Sequence, residues 1–575
     1  MRGWLGVKEH TKQLYRKRRE EKVYLKWIRK FDTLTDGDRE QIRQKIRGFK
    51  LKPLISVVMP IYNIEEKWLR LCIESVIKQL YGNWELCIAD DHSPSPHVRK
   101  VLEEYAAKDK RIKVIFRAEN GHISAASNSA LELATGEFVA LLDHDDELAE
   151  HALFYVAEEI NRFPETEMIY SDEDMIGENG RRYEPKFKPD WSRDLFYSLN
   201  LITHLSVYRT EVLQRIGGFR AGLEGSQDYD LALRVIEQIP ENHIRHIPKI
   251  LYHWRAIRGS VAYSSEEKPY AHERAREAIR QHLERSEKKA IVRQTVYNLH
   301  RVQYELPADF PKVSLILAAN EDFQAAKKAI EVFSTETDYQ NFEIVLVCSE
   351  ATKTKIEAEA FLPKIRIIAG ETRSEAEKYN FAAAQTNGKI LCFVDPNLKP
   401  LSKDWLKEMA SFAFQKEIGA VGAKLLYADK SILHGGLVVG MNGLVGIAHH
   451  CLPQDDNGNI ARTQVINNFS AVSISCFATR RETFQSVGGF DAENLPNKFF
   501  DADFCLKLRE RNYRIVFTPY AALIQIDEKK RLNLQKIPTA AEKNYFARKW
   551  KKFVERDPFY NLNLSKKAAD FSINV

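Results

Sequence analysis

The sequence predicts an α/β protein made of two tandem domains, each built on a mostly parallel, doubly wound sheet, behind an N-terminal helical extension. Three observations lead to this prediction. Short apolar runs alternate with amphipathic helical stretches from Leu54 onward. The same order of runs begins again after Pro311. Residues 1–50 differ in composition from both halves.

The N-terminal extension, residues 1–50, is basic and rich in aromatic residues, with four consecutive basic residues from Arg16 to Arg19. This composition predicts a basic helix. One interpretation is peripheral contact with an anionic membrane surface. The other is a helix that packs its apolar stripe on the following domain. The interspersed glutamates and the lack of a long apolar face favour packing.

The first domain is predicted to span residues 51–263. Its first strand lies in the run LISVVMPIYN, and a helix follows that strand. A second strand in WELCIADD ends at Asp90 and Asp91. A later strand in EFVALLDHDDEL ends at Asp143, with Asp145 and Asp146 directly after it. Carboxyl ends of parallel strands meet at one edge of a sheet, so these carboxylates should lie close together.

Three carboxylates within four residues repel one another and need a compensating cation. Hard oxygen ligands of this kind suit Mg²⁺ or Mn²⁺, which commonly bridge a protein to the phosphates of a substrate. The Asp143-x-Asp145 pattern therefore predicts a metal–diphosphate site. The alternatives are an acidic turn after a core strand and, for Asp91, a residue that caps a turn.

Two later acidic stretches in the first domain receive different predictions. The stretch 170–174 (YSDED) is expected to form an acidic turn that is solvated or caps a loop. Asp228 and Asp230 open an amphipathic helix, where the helix dipole favours carboxylates. Capping of the helix N-terminus would explain one of these two carboxylates, but it does not require a second one.

Residues 264–310 are predicted to form a linker, and residues 311–575 a second domain. KVSLILAAN echoes LISVVMPIYN, and NGKILCFVDPNLKP echoes TGEFVALLDHDDEL. VGGFDAENLPNKFFDADFCLKL echoes IGGFRAGLEGSQDYDLALRV. These matches indicate the duplication of a whole domain.

The composition bears on two questions: whether the protein binds nucleic acid and in which compartment it is found. A net charge of +6 over 575 residues does not indicate nucleic-acid binding. Seven cysteines, mostly inside apolar runs, are typical of reduced core residues. Neither a secretory signal nor an apolar segment of membrane-spanning length is evident, so we expect a cytoplasmic protein, with peripheral contact at the inner face of the membrane if the basic helix binds lipid.

The ordered motifs LISVVMPIYN, IADDHS, GEFVALLDHDDEL, GSQDYDLALR and LYHWR resemble the inverting nucleotide-sugar glycosyltransferases of family two, which have the GT-A fold. The resemblance covers residues 54–261 well and residues 312–527 less well. The tandem arrangement is similar to that of transferases of bacterial O-antigen and cell-surface polysaccharide synthesis. The implied partners are a nucleotide-sugar donor, either a UDP- or a dTDP-sugar, and a glycan or lipid-linked glycan acceptor.

The resemblance also implies roles for single residues. Pro60, Tyr62 and Asp91 would bind the nucleotide. Asp143 would contact both nucleotide and metal, and the metal, Mn²⁺ or Mg²⁺, would be completed by Asp145 and by His253 of LYHWR. Asp228 would be the general base that accepts the proton of the acceptor hydroxyl. For His253 the alternative is a core or capping histidine.

The second copy departs from this pattern. Ser349 stands where the first copy has Asp91, Asn397 where it has Asp145, and the region matching LYHWR contains no histidine. Asp501 and Asp503 are retained. We therefore expect a degenerate metal site and an inactive second domain, used as an acceptor platform or a packing partner.

Three functional hypotheses remain open from the sequence. The first is a metal-dependent transferase that uses only the first domain, and the second is a bifunctional transferase or polymerase that uses both. The third is a non-catalytic glycan-binding scaffold, which the intact acidic set of the first domain argues against. An NAD-binding enzyme is disfavoured because the first βα turn, PIYNIEE, lacks the glycine-rich phosphate loop.

Overall fold

The computed structural model describes residues 19–257, 269–320, 322–358, 365–369, 374–441, 444–526, 537–567 and 570–575. The chain forms two compact units. The first unit contains the chain up to residue 191, residues 200–287 and the last three residues. The second unit contains residues 192–199 and 288–572.

Up to residue 287 the strands are β1 (Ile55–Ile61), β2 (Trp84–Asp90), β3 (Ile112–Phe116), β4 (Phe138–Leu141), β5 (Glu147–Leu148), β6 (Met168–Gly177), β7 (Arg182–Lys186), β8 (Ser206–Arg209) and β9 (Ile244–Ala256). The helices are α1 (residues 19–31), α2 (Asp36–Arg47), α3 (Glu66–Ile77), α4 (Pro96–Lys108), α5 (His122–Glu132), α6 (Ala152–Arg162), α7 (Arg193–Phe196), α8 (Thr210–Ile216), α9 (Gln227–Ile236) and α10 (Pro269–Arg285).

After residue 287 the strands are β10 (Ala290–Gln294), β11 (His300–Tyr304), β12 (Val313–Asn320), β13 (Phe342–Cys348), β14 (Ile365–Ala369), β15 (Ile390–Val394), β16 (Leu398–Pro400), β17 (Ile418–Leu426), β18 (Ile432–His434), β19 (Leu437–Val439), β20 (Val445–Ile447), β21 (Asn467–Asn468), β22 (Cys476–Arg480) and β23 (Arg514–Gln525). The helices are α11 (Phe323–Thr335), α12 (Glu350–Ala358), α13 (Glu375–Ala384), α14 (Trp405–Ala413), α15 (Arg481–Ser486), α16 (Phe500–Glu510), α17 (Ala540–Lys549) and α18 (Lys551–Glu555).

The first unit holds a mixed sheet with the strand order β3-β2-β1-β4-β8-β6-β9-β5, and β7 pairs beside β6. Strands β1 to β4 are parallel to their neighbours among themselves. Strand β8 runs antiparallel to both β4 and β6, while β6 and β9 are parallel. The predicted α/β class is confirmed, and the parallel part of the sheet carries the strand ends where the acidic residues were predicted to meet.

The second unit repeats this topology strand for strand, in the order β14-β13-β12-β15-β22-β17-β23-β16. Individual hydrogen bonds repeat as well. Asn128 in α5 donates to and accepts from the backbone of Phe219, and Asn380 in α13 does the same to Phe490. Both clamps hold the chain just after a pair of glycines with positive φ, which favours glycine. The duplication seen in the sequence is therefore a duplication of the fold.

The unit boundaries differ from the predicted domain limits at several places. Helix α10, predicted to lie in the linker, belongs to the first unit. Residues 192–199 belong to the second unit, where Ser192 Oγ donates to Asn468 Oδ1 at 2.9 Å.

The described part of the N-terminal extension packs on the first unit. In α1, Tyr24 and Trp27 are buried, and the Trp27 ring lies 5.1 Å from the ring of Phe187. Residues 1–18, with Arg16, lie outside the described residues. None of the helices in the described ranges is long and apolar enough to cross a membrane.

Candidate active site

The ends of β1 and β2 carry the residues predicted to bind the nucleotide. Pro60 is buried in β1, and Tyr62 directly after this strand has half of its surface exposed. Asp91 follows β2, and its backbone N–H donates to the carbonyl of Ile61 at 2.9 Å. The structure thus brings Tyr62 and Asp91 to adjacent strand ends, one side chain open to solvent and the other buried.

The Asp91 carboxylate is fixed by two groups. Arg117 Nε lies 2.8 Å from its Oδ1, and the backbone N–H of Gly121 donates to the same oxygen at 3.0 Å. A Cβ at Gly121 would lie 2.5 Å from the Arg117 guanidinium, so this approach requires glycine. Asp91 is therefore a rigid, charge-balanced acceptor rather than a loose turn residue.

Hydrogen bonds from residues of β9 hold the acidic turn that follows β4 in place. The Tyr252 hydroxyl accepts from the Asp143 backbone N–H at 3.2 Å and donates to Asp146 Oδ2 at 2.6 Å. The backbone N–H of Arg255 donates to Asp146 Oδ1 at 2.7 Å, and its Nε donates to the carbonyl of Asp145. The LYHWR motif thus positions the acidic turn through its tyrosine and its arginine.

The three aspartates of the turn have different environments. The Asp143 side chain is about half exposed and Asp145 is half-buried, whereas Asp146 is fully buried. Burial, together with the charges of Asp145 and Asp143, raises the pKa of Asp146 well above its usual range. Asp146 was not among the site residues predicted from the sequence.

His204 is the second site residue that sequence reasoning missed. Its ring stacks on Tyr252 with centroids 4.2 Å apart. Nε2 lies 3.7 Å from Asp143 Oδ2, and Nδ1 lies 3.3 Å from Glu173 Oε2. Burial alone would lower the pKa of His204, but its contacts with Asp143 and Glu173 and the other nearby negative charges raise this pKa to about 10.

Asp143, Asp146 and His204 each offer one ligand atom, and these atoms lie within 4.8 Å of one another. Two carboxylate oxygens and an imidazole nitrogen form a donor set that divalent cations accept. The contact of Nδ1 with Glu173 suits an imidazole whose Nε2 serves as the ligand atom. Across the described ranges of the chain, no other group of three such side chains converges in this way.

His253 lies on the other face of the sheet from this cluster. Side chains alternate along a strand, and its neighbours Tyr252 and Trp254 both lie against His204. His253 Nδ1 is 2.6 Å from Asp174 Oδ1, and Asp174 also accepts from the Tyr24 hydroxyl at 2.5 Å. The structure therefore does not bring His253 together with Asp143, and its role as a metal ligand stays a prediction.

The stretch 170–174, expected to form a solvated turn, is instead part of the buried strand β6. That prediction was wrong because compensating charges lie far along the sequence. Glu173 pairs with Lys186 at 2.6 Å and with Lys188 at 2.9 Å, and His246 lies 2.9 Å from Asp172. Burial opposes ionisation of Glu173, but the two lysines lower its pKa well below the usual range.

Asp228 is the second residue of α9, and Asn200 Nδ2 donates to its Oδ2 at 2.8 Å. Burial raises its pKa, the charge of His204 lowers it and that of Asp143 raises it, so all three groups share one electrostatic environment. Asp230 is fully buried and pairs with Arg220 and, at 2.9 Å, with Arg234. The two carboxylates thus separate into one at the site and one that stabilises the fold.

The second unit uses its retained carboxylates differently. Asp395 accepts from the backbone N–H of Asn397 at 2.8 Å. Asp501 accepts from the backbone N–H groups of Ile474 and Ala502. Asp503 is fully buried and pairs with Lys549 at 2.6 Å. These contacts give the retained aspartates a structural reason to be present.

Comparisons with known proteins agree with the motifs. The model of Glycosyl transferase family 2 matches residues 56–217. The chain is 39% identical over 551 residues to the uncharacterized protein y4gI of Sinorhizobium fredii, covering 93% of this chain and 60% of that protein. It is 33% identical over 537 residues to the O-antigen biosynthesis protein RfbC of Myxococcus xanthus, covering 92% of this chain and 42% of that protein. The chain thus spans only about half the length of these two relatives.

A shorter relative is covered more fully. The putative colanic acid biosynthesis glycosyl transferase WcaA of Escherichia coli is 32% identical over 199 residues, which are 33% of this chain and 69% of that protein. Apart from residues 192–199, the range that the family model matches lies in the first unit, and it contains the strand ends that carry Tyr62, Asp91 and Asp143. The chain belongs to glycosyl transferase family 2, as its motifs predict.

Proposed function

We propose that the first unit is a metal-dependent inverting glycosyltransferase that moves a sugar from a nucleotide-diphosphate donor to a bacterial surface glycan. One observation carries the proposal: Asp143, Asp146 and His204 bring three potential ligand atoms within 4.8 Å of one another, and the charges of Asp143 and His204 act on the half-buried carboxylate of Asp228. A charged leaving group needs a cation to stabilise it, and a hydroxyl nucleophile needs a base to accept its proton. Both groups must therefore lie close to the same reacting carbon.

The nucleotide would bind at the ends of β1 and β2. The exposed Tyr62 ring offers a face on which a base can stack, and the Asp91 carboxylate is held in one orientation by Arg117 and Gly121. A fixed acceptor can recognise the N–H of a uracil or thymine ring. UDP- and dTDP-sugars are therefore the donors that we propose.

Mn²⁺ or Mg²⁺ would be held by Asp143, Asp146 and His204, and Asp145 and His253 remain the other predicted ligands. When bound, the metal neutralises charge that develops on the diphosphate as it leaves. Tyr252 and Arg255 fix the acidic turn, and Glu173 orients His204. These residues preorganise the site and do not react themselves.

Asp228 would act as the general base. The acceptor oxygen forms a bond to the anomeric carbon, the bond from that carbon to the diphosphate oxygen breaks, and the hydroxyl proton passes to Asp228. A single displacement inverts the anomeric carbon. A pKa raised by burial makes this carboxylate a stronger base, and the hydrogen bond from Asn200 orients it.

The acceptor is proposed from the chemistry named in the relatives, O-antigen and colanic acid synthesis. A growing surface polysaccharide, free or lipid-linked, supplies the sugar hydroxyl that this mechanism requires. The second unit would not turn over donors, because it has Ser349 and Asn397 where the first unit has Asp91 and Asp145. It would serve as an acceptor platform or packing partner.

A donor panel tests the proposed function. The full chain is incubated with UDP- and dTDP-hexoses and deoxyhexoses, and release of the nucleoside diphosphate is measured with Mn²⁺, with Mg²⁺ and with a chelator. We expect release from at least one donor that depends on the metal. Release that is unaffected by the chelator would contradict the metal-dependent mechanism.

Peripheral membrane contact through residues 1–50 is a separate proposal, motivated by the basic run from Arg16 to Arg19. If it holds, the protein should float with vesicles that contain anionic lipid, and binding should weaken as salt screens the charges. A variant with Arg16, Lys17 and Arg18 changed to Gln is the matched test, because it removes three of the four consecutive basic residues and leaves the described part of α1 unchanged. Flotation that is equal for neutral and anionic vesicles would return the extension to a packing role.

A further inference from the structure

We propose that Lys188 and Glu173 are positioning residues for the transfer reaction: their buried ion pair clamps the segment 200–204, which presents both the partner of the general base and the histidine beside Asp143. The inference rests on the proposed function of the first unit, and nothing in the family motifs points to either residue. It is carried by the hydrogen bonds that this pair makes.

Lys188 is buried, and its ammonium group points at the backbone of the segment. Four acceptors lie within 3.0 Å of its Nζ: Glu173 Oε2 at 2.9 Å, the Thr203 hydroxyl at 3.0 Å, and the carbonyls of Ile202 and His204 at 3.0 and 2.8 Å. A lysine ammonium group has three N–H donors, and all three can be satisfied by these acceptors within the protein. It has no capacity left for a substrate phosphate.

Glu173 holds the same segment from the other side. Its Oε2 accepts from the Thr203 hydroxyl at 2.6 Å and from the backbone N–H of His204 at 3.2 Å. Its Oε1 accepts from Lys186 at 2.6 Å. Each member of the buried pair therefore forms hydrogen bonds with both Thr203 and His204.

The segment needs such a clamp because its backbone is strained. Thr203 has a φ of +31°, a region that a β-branched residue avoids. A strained conformation persists only when the surrounding structure determines it fully. Without the pair, the backbone at Thr203 would relax to negative φ and carry His204 with it.

Residues at both ends of the segment contact residues of the candidate active site. Asn200 Nδ2 donates to Asp228 Oδ2 at 2.8 Å, and Asn200 Oδ1 accepts from the Thr203 backbone N–H at 3.3 Å. His204 Nε2 lies 3.7 Å from Asp143 Oδ2. One clamp thus sets the position of the base relative to the potential metal site.

The test compares the full chain with Lys188→Met, which keeps the length of the stem but removes the ammonium group. Because small misplacements of reacting groups slow the chemical step, we expect kcat for glycosyl transfer to fall by about 10- to 100-fold. At saturating Mn²⁺ the donor KM should change by less than about threefold, because Tyr62 and Asp91 are untouched. Hydrogen–deuterium exchange should accelerate at residues 200–204 and stay unchanged in β1 and β2.

A double variant separates positioning from charge balance. Glu173→Gln with Lys188→Met removes both buried charges, so the melting temperature should recover relative to Lys188→Met alone. The kcat should stay low, because the bonds to the carbonyls of Ile202 and His204 are still missing. Recovery of kcat in the double variant would overturn the proposal.

A matched control comes from the second unit. Lys424 is also buried, and its Nζ donates to the carbonyls of Gln454 and Thr463. Lys424→Met should lower the melting temperature but change neither kcat nor exchange at residues 200–204. An equal loss of kcat in Lys424→Met, or unchanged exchange at 200–204 in Lys188→Met, would contradict the clamp. A wild-type protein that turned over no donor would refute the proposed function instead, while the exchange experiment would still decide on the clamp.

Discussion

Asp143→Asn should lower metal-dependent turnover of the nucleotide sugar by at least about 100-fold, because a neutral amide cannot replace a charged ligand that helps to hold the metal against a diphosphate. Asp143 is the most exposed member of the ligand group, with about half of its side chain open to solvent. The melting temperature should therefore stay near that of the wild type. Mn²⁺ binding to the full chain, measured by calorimetry, should weaken in parallel.

Two histidine variants distinguish the two candidate ligand sets in the same experiment. His204→Ala should weaken Mn²⁺ binding by about tenfold or more. His253→Ala should leave Mn²⁺ binding close to wild type but lower the melting temperature, because the buried Asp174 carboxylate loses one of its partners. The reverse pattern would show that the set inferred from the LYHWR motif, with His253, is the correct one.

Asp228→Asn should lower glycosyl transfer by about two to four orders of magnitude, because an amide keeps the shape of the carboxylate but cannot accept the proton of the acceptor hydroxyl. Donor affinity should remain similar, since Tyr62, Asp91 and the metal, rather than Asp228, are proposed to hold the nucleotide. Asn200→Ala is the companion variant and should cause a smaller loss of kcat. Near-normal transfer by Asp228→Asn would remove this residue from the mechanism.

The pH dependence of the transfer rate distinguishes whether Asp228 acts as a base or as an acid. Burial raises the pKa of Asp228 above the usual range of an aspartate, and the reactive form of a base is the deprotonated one. Transfer should therefore rise with pH through this raised pKa and reach a plateau above it. A rate that falls as Asp228 loses its proton would assign it the role of an acid.

The sequence was informative wherever a local pattern determines the structure. Strand β4, a short apolar run closed by Asp143, appears where the pattern places it, and the repeated order of runs corresponds to two sheets of identical topology. Asp228 opens a helix as predicted. These features depend on residues that are neighbours in the chain.

The features that the sequence could not reveal depend on which face a side chain takes and on distant partners. His204 carries no local signal, since it enters the site only because β8 returns antiparallel between β4 and β6. The acidic stretch 170–174 looks solvated until Lys186 and Lys188 are placed beside Glu173. The only usable signal was the alternation in LYHWR, which puts the tyrosine and the histidine on opposite faces.

The central claim is that the first unit transfers sugars and the second does not. The most direct measurement is nucleoside diphosphate release by the full chain carrying Asn397→Ala and Asp501→Asn, compared with Asp143→Asn in the same assay. These positions match Asp145 and Asp228 of the first copy, so the variants alter equivalent places in the two units. We predict that the second-unit double variant keeps turnover within about twofold of wild type, while Asp143→Asn loses it. Loss of turnover or of product elongation in the second-unit variant would show that both units are catalytic and would contradict this account.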